Sequence, residues 1–220
     1  GLSAGLGISL HQSRVLKNDA RTYVLMGDGE MAEGSVWEAL ALAAHMKIGN
    51  LTAVVDVNRL GQSCETMYGH DLNVYARKIE SFGWEALVVN GHDMAQLVDT
   101  FDKASKVKSK PVCILAKTFK GQGVSAIANK DNWHGKPLKA GAEMDSALQE
   151  VEKNFMKSPP EPTIQKPSTP YSKVEKAVIG DVAPAPYAVG AKVATRAAVG
   201  DALLALGKAD PRIWPIDGDT

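Results

Sequence analysis

The sequence predicts an α/β fold: a doubly wound, mostly parallel sheet flanked by helices. Three observations predict it. Short apolar runs at residues 23–26, 51–55, 86–89 and 111–116 alternate with stretches of helical periodicity. The stretches between the runs are long enough to carry the crossover that parallel neighbours need. Polar, glycine-bearing turns follow directly on the runs, where open α/β sheets bind their ligands.

Taken in order, Leu2, Leu6, Ile8, Leu10 and Val15 lie among small residues and predict a helix over residues 1–17. Gly1, Gly5 and Gly7 would give that helix a tight-packing face. Residues 23–26 read as a buried strand, and Gly27-Asp28-Gly29-Glu30 as a turn with a carboxylate between two glycines. A helix opens at Glu33 and runs to about Met46. The run 51–55 closes on Asp56-Val57-Asn58-Arg59-Leu60-Gly61. Residues 72–82 form a helix on Val74, Ile79 and Phe82, and 86–89 a strand. Asn90-Gly91-His92-Asp93 is a turn and cap, and residues 94–106 form a helix on Leu97, Val98 and Phe101. Residues 111–116 make the next strand.

Residues 117–137 are a long polar loop with glycines at 121, 123 and 135, of the kind that is functional or disordered. An amphipathic helix is predicted over 141–157. Seven of the eleven prolines then fall between Pro159 and Pro186, which marks an extended linker. A last helix is predicted over 191–206, and a strand from Ile213 to Ile216. The expected organisation is a domain at 1–157, a Pro-rich linker at 158–190 and the start of a second domain at 191–220. The absent initiator methionine and the ending at Asp219-Thr220 suggest a piece of a longer chain.

Formal net charge is zero, which gives no reason to expect nucleic acid or an anionic membrane as partner. No apolar run is long enough to span a bilayer, and no secretory leader is visible. Cys64 and Cys113 imply no disulfide framework and read as cytosolic thiols, so a cytoplasmic location is expected.

The chemistry concentrates on two strand ends. Asp28 offers a hard anionic oxygen, Asn58, thirty residues on, an amide oxygen, and the Leu60 carbonyl a third. Oxygen-only ligands suit Mg²⁺ or Ca²⁺ and not zinc. So few protein ligands leave most of an octahedral shell to water or phosphate oxygens. Gly27 and Gly29 would let the backbone approach a bulky phosphate. Taken alone, Gly-Asp-Gly is no more than a strand-ending turn; the strand–helix–strand spacing and the second oxygen donor favour the metal reading.

This stretch resembles the diphosphate-binding motif of thiamine-diphosphate enzymes, and Val57-Asn58 resembles the transketolase branch. Four further blocks are similar to that family and in its order: Asn58-Arg59-Leu60-Gly61-Gln62-Ser63, Phe82-Gly83-Trp84, Ala116-Lys117-Thr118-Phe119-Lys120-Gly121 and Trp133-His134-Gly135-Lys136-Pro137. The resemblance implies transfer of a two-carbon glycolaldehyde unit from a ketose phosphate to an aldose phosphate, with thiamine diphosphate and a divalent metal. It implies Asp28, Asn58 and Leu60 on the metal, and Gly29, Glu33, Asn58, Gln62, Lys120 and His134 at the cofactor, His134 also serving catalysis. Glu33, the first-turn glutamate of a helix, would lie at a homodimer interface and couple the two sites. A deoxyxylulose-phosphate synthase, the thiamine-dependent component of a 2-oxo acid dehydrogenase and a non-catalytic partner-binding module are the alternatives; residues 133–137 speak against the first two. The chain by itself is expected to be inactive. His11, His45, His70 and His92 match no ligand spacing, and Asp217-Gly218-Asp219 lacks the further ligands of a calcium loop.

Overall fold

The computed structural model describes residues 1–155, 161 and 177–215. The chain divides into two compact units, Gly1–Ile164 and Gln165–Thr220, a division that falls inside the Pro-rich stretch.

The first unit is built on four parallel strands: β1 (Thr22–Gly27), β2 (Leu51–Val57), β3 (Glu85–Asn90) and β4 (Val112–Lys117), ordered β1-β2-β4-β3. Central strands are covered on both faces, so β2 and β4 are almost uniformly apolar. Edge strand β1 alternates instead, and its Leu25 is 74 % exposed.

Helices α1 (Leu2–Leu10), α2 (Gly34–His45) and α3 (Leu72–Ser81) cover one face, packing Leu2, Leu40 and Ile79 against Met26, Val55, Val57 and Leu115. Helix α4 (Met94–Lys106) covers the other, with Ala104, Leu97 and Phe101 on Val112 and Ile114. Asp71 and Asp93 cap α3 and α4 by accepting the amides of Val74 and Gln96. The buried Trp84 indole donates to the Leu40 carbonyl at 2.9 Å, tying the start of β3 to α2.

The first helix is shorter than its apolar pattern predicts. It ends at Leu10 and continues as a π-helical turn, His11–Val15. The predicted glycine face reduces to Gly5, which lies against Val24; Gly7 is exposed with nothing near it. Helix α5 (Ala142–Lys153) stops short of residue 157 and is tied to the preceding loop by Ser125, whose amide and hydroxyl both donate to Glu150 at 2.6 Å.

In the second unit, α6 (Thr195–Ala209) starts later and ends later than predicted. Its Val199, Leu203 and Leu204 are exposed. No strand forms at residues 213–215, and the remainder of that predicted strand, with Asp217 and Asp219, lies outside the described residues.

Candidate functional site

Asp28 and Asn58 follow immediately on the carboxyl ends of β1 and β2. The strands pair in register, Gly27 opposite Asp56, so the two ends stand level. Both side chains are buried, Asp28 at 5 % and Asn58 at 7 % exposure. The Gly27 amide donates to Glu30 at 2.7 Å, which closes the Gly-Asp-Gly turn into a short 3₁₀ segment, Asp28–Ala32.

The Asp28 carboxylate is oriented by two donors on one oxygen. The Arg59 amide donates to Oδ2 at 2.7 Å and the Thr66 hydroxyl at 3.1 Å. Among the described residues no donor reaches Oδ1. Arg59 holds φ 65°, a left-handed conformation rare outside glycine, within the turn that carries this amide to Asp28.

Asn58 uses both ends of its amide. Nδ2 donates to Asp56 Oδ2 at 2.9 Å, and Oδ1 accepts the Leu60 amide at 3.1 Å. Asp56 Oδ1 in turn accepts the hydroxyl of Thr118, at the end of β4. A backbone amide only donates and a carboxylate only accepts, so these partners dictate which way the Asn58 amide faces.

The polar loop comes to the same rim. Lys120 Nζ donates to the Leu60 carbonyl at 3.2 Å and to His134 Nδ1 at 2.8 Å. An ammonium only donates, so Nδ1 is the acceptor and Nε2 of His134 is left as the donor. Arg59 fastens the loop: Nε and Nη2 donate to the side-chain and main-chain oxygens of Asn129 at 2.7 and 2.6 Å, with Glu65 and Asp131 within 3.6 Å of Nη1.

The structure therefore brings Asp28, Asn58, Leu60, Lys120 and His134 into one connected cluster. Gly29, Glu33 and Gln62 lie exposed at its margin, and among the described residues the side chains of Glu33 and Gln62 form no hydrogen bond. A side chain added at Gly29 would meet open space, so the turn is clear for a bulky ligand.

Sequence reasoning missed Asp56, Thr66, Thr118 and Asn129. Asp56 was within reach of it, because residues two apart at a strand end project to one side. Thr118 was not, since it meets Asp56 only through the β2–β4 pairing. It also missed how His70 and His92 flank Phe119. His70 Nε2 donates to the Thr118 carbonyl at 2.9 Å, and His92, stacked on the Phe119 ring, accepts its amide at 2.8 Å.

Among the described residues no group of three or more His, Cys, Asp or Glu side chains is placed to hold a metal. A cation at this rim would rest on one carboxylate, one amide oxygen and one carbonyl, all hard donors. Asp28 Oδ1, which no donor among the described residues reaches, and the Leu60 carbonyl, which already attracts an ammonium, fit such a group. No helix among the described residues is long and apolar enough to cross a membrane.

Residues 10–181 match the family described as transketolase, thiamine diphosphate binding domain. Human transketolase is 39% identical over the whole chain, which covers 34% of that protein. Human transketolase-like protein 2 is 40% identical, again over the whole chain and 35% of its own length. A mutant transketolase from Pichia stipitis, solved with fructose 6-phosphate, superimposes on 70% of the chain with a TM-score of 0.55 at 29% identity; the match covers 27% of that structure. The chain thus spans about a third of the length of the curated relatives it matches.

Proposed function

The chain belongs to the transketolase family, within its thiamine diphosphate-binding domain, and on that premise we propose that the Asp28–Asn58 rim holds the diphosphate end of the cofactor through a divalent metal. The observation that carries the reading is the buried Asp28 carboxylate, oriented through one oxygen and free at the other, level with the Asn58–Leu60 turn. Asp28 Oδ1, Asn58 Oδ1 and the Leu60 carbonyl would be the metal's protein ligands. Mg²⁺ fits this small hard set best, with Ca²⁺ as its substitute.

Thiamine diphosphate, when bound, supplies a nucleophilic carbon and an electron-accepting ring. The chain's own residues bind and orient. Open Gly29 would admit the diphosphate, and the Lys120 ammonium, which donates to the Leu60 carbonyl at this rim, would hold phosphate oxygens. His134 Nε2 donates to the diphosphate or to a substrate oxygen. Gln62 reaches the cofactor from the tip of the turn, and Glu33 faces a second subunit of a homodimer.

For the full natural protein we propose transfer of a glycolaldehyde unit from a ketose phosphate, the class of sugar phosphate solved with the Pichia enzyme, to an aldose phosphate, in the cytoplasm. Calorimetry tests the site. Thiamine diphosphate with Mg²⁺ should bind, and either one alone should bind at least tenfold more weakly, because the protein ligands do not complete an octahedral shell. Tight Mg²⁺ binding without the diphosphate would overturn the coordination scheme. A ketose-to-aldose transfer assay tests the activity: the full natural protein should turn over, and the 220-residue chain should not.

A further inference from the structure

We infer that Asp56, locked by Thr118, is a positioning residue that keeps the oxygen of the Asn58 amide, and not its NH₂, directed at the ligand. The inference rests on the reading of the Asp28–Asn58 rim as a metal and diphosphate site.

The terminal torsion of an asparagine is soft and roughly two-fold, so its oxygen and nitrogen exchange places at little steric cost. Only hydrogen-bond partners tell the two orientations apart. Here Nδ2 donates to Asp56 Oδ2 at 2.9 Å, while Oδ1 accepts the Leu60 amide at 3.1 Å and keeps a second lone pair. A flip would set NH₂ against the Leu60 N–H and oxygen against the Asp56 carboxylate, two mismatches at once. Leu60 alone supplies half of this discrimination, and Asp56 the other half.

Asp56 is itself fixed. Its second oxygen accepts the Thr118 hydroxyl, and Thr118 is held by its amide on the Val57 carbonyl at 3.1 Å and by His70 on its own carbonyl at 2.9 Å. The orientation of one amide just past the end of β2 thus depends on the end of β4. Asp56 is a half-buried carboxylate with no cationic partner among the described residues. Both its oxygens are taken by neutral donors, so it differs from Asp28, which keeps one free for a cation.

The test is an Mg²⁺ titration of the full natural protein at saturating thiamine diphosphate, read as cofactor binding by calorimetry, with thermal melting of each unliganded variant. Asp56→Ala should weaken Mg²⁺ about 10- to 100-fold, the usual effect of removing a ligand's orienting partner. Asp56→Asn should stay within about threefold, because its amide oxygen still accepts from Asn58 while its NH₂ donates to Thr118. Adding Asn58→Asp to Asp56→Ala should recover most of the loss, since a symmetric carboxylate needs no orientation. Should Asp56→Ala fail to fold, Thr118→Val should show a smaller loss that Thr118→Ser repairs. Parental affinity in Asp56→Ala would overturn the inference. So would an Asp56→Asn as weak as Asp56→Ala together with a double variant that recovers nothing. Absence of metal-dependent cofactor binding in the parent would instead overturn the reading of the rim, and the inference with it.

Discussion

Two regions meet at the candidate site and are built by opposite means. The rim formed by Asp28, Asn58 and Leu60 is buried, stands on adjacent parallel strands and is held largely by main-chain amides. The loop spanning residues 118–137 has no helix or strand of its own and brings Lys120 and His134 in on half-buried or exposed side chains. The rim is preorganised, with its geometry set by sheet pairing before any ligand arrives. The loop residues reach the site on long, adaptable side chains, held through Arg59, Asn129 and a few turns. Loss of a rim ligand should therefore remove binding, while loss of a loop ligand should weaken it.

The largest effect should come from Asp28→Ala. It removes the one carboxylate placed on the metal and strands the Arg59 amide and Thr66 hydroxyl, costing about 1–3 kcal/mol of stability. Calorimetry with thiamine diphosphate and Mg²⁺ should show no binding, whereas Asp217→Ala should match the parent. Equal losses from the two would erase the distinction between rim and remainder.

Next in size is the removal of the Arg59 guanidinium, which frees the loop but not the rim. Arg59→Gly should expose residues 121–131 to limited proteolysis while the Asp28 anchor, a main-chain amide, persists. Arg59→Ala should be about 1–2 kcal/mol less stable than Arg59→Gly in thermal unfolding, because φ is 65° there and a Cβ resists it. If the two variants melt alike, the left-handed turn relaxes easily and the rim is less rigid than described.

A smaller effect is expected of Lys120→Met: about tenfold weaker cofactor binding, the loss of one charge-assisted hydrogen bond, with no change in melting temperature. A loss as complete as that of Asp28→Ala would place Lys120 on the same footing as the rim.

The smallest effect concerns the thiols, which sample scaffold and rim separately. Cys113, fully buried in β4, has its thiol pushed up to about 12 by burial, while Cys64 is exposed near the rim turn. A thiol reagent at pH 8 should modify Cys64 in the native protein and Cys113 only after unfolding. An unfolded thiol titrates near about 8.5. The unfolded chain therefore loses this proton first, and stability from this source is complete below that pH and falls as pH rises toward 12. Rapid native labelling of Cys113 would show that the scaffold opens.

Much of this architecture was legible in the sequence, for reasons that differ by element. Helix α4 spans residues 94–106 as predicted, because its apolar spacing is regular and Asp93 caps it. The strands were found as apolar runs, but their ends were short by a residue or two, since Asp56 and Lys117 continue the ladder without being apolar. The first helix was overextended because its apolar pattern continues through the π-helical turn. At the site, Asp28, Asn58, Lys120 and His134 announce themselves by residue type and turn context. The bonds that orient them do not, because Thr118 to Asp56 and Arg59 to Asn129 join segments distant in sequence.

The Arg59 amide that anchors Asp28 has a consequence for how this site tolerates genetic change. Nineteen of the twenty amino acids carry a main-chain N–H, so drift at position 59 can alter the grip on the loop while leaving that donor in place. Only proline deletes it, and proline is also barred by its ring from the positive φ found there. The most exacting contact of the rim is thus insulated from almost every mutation of the residue that makes it.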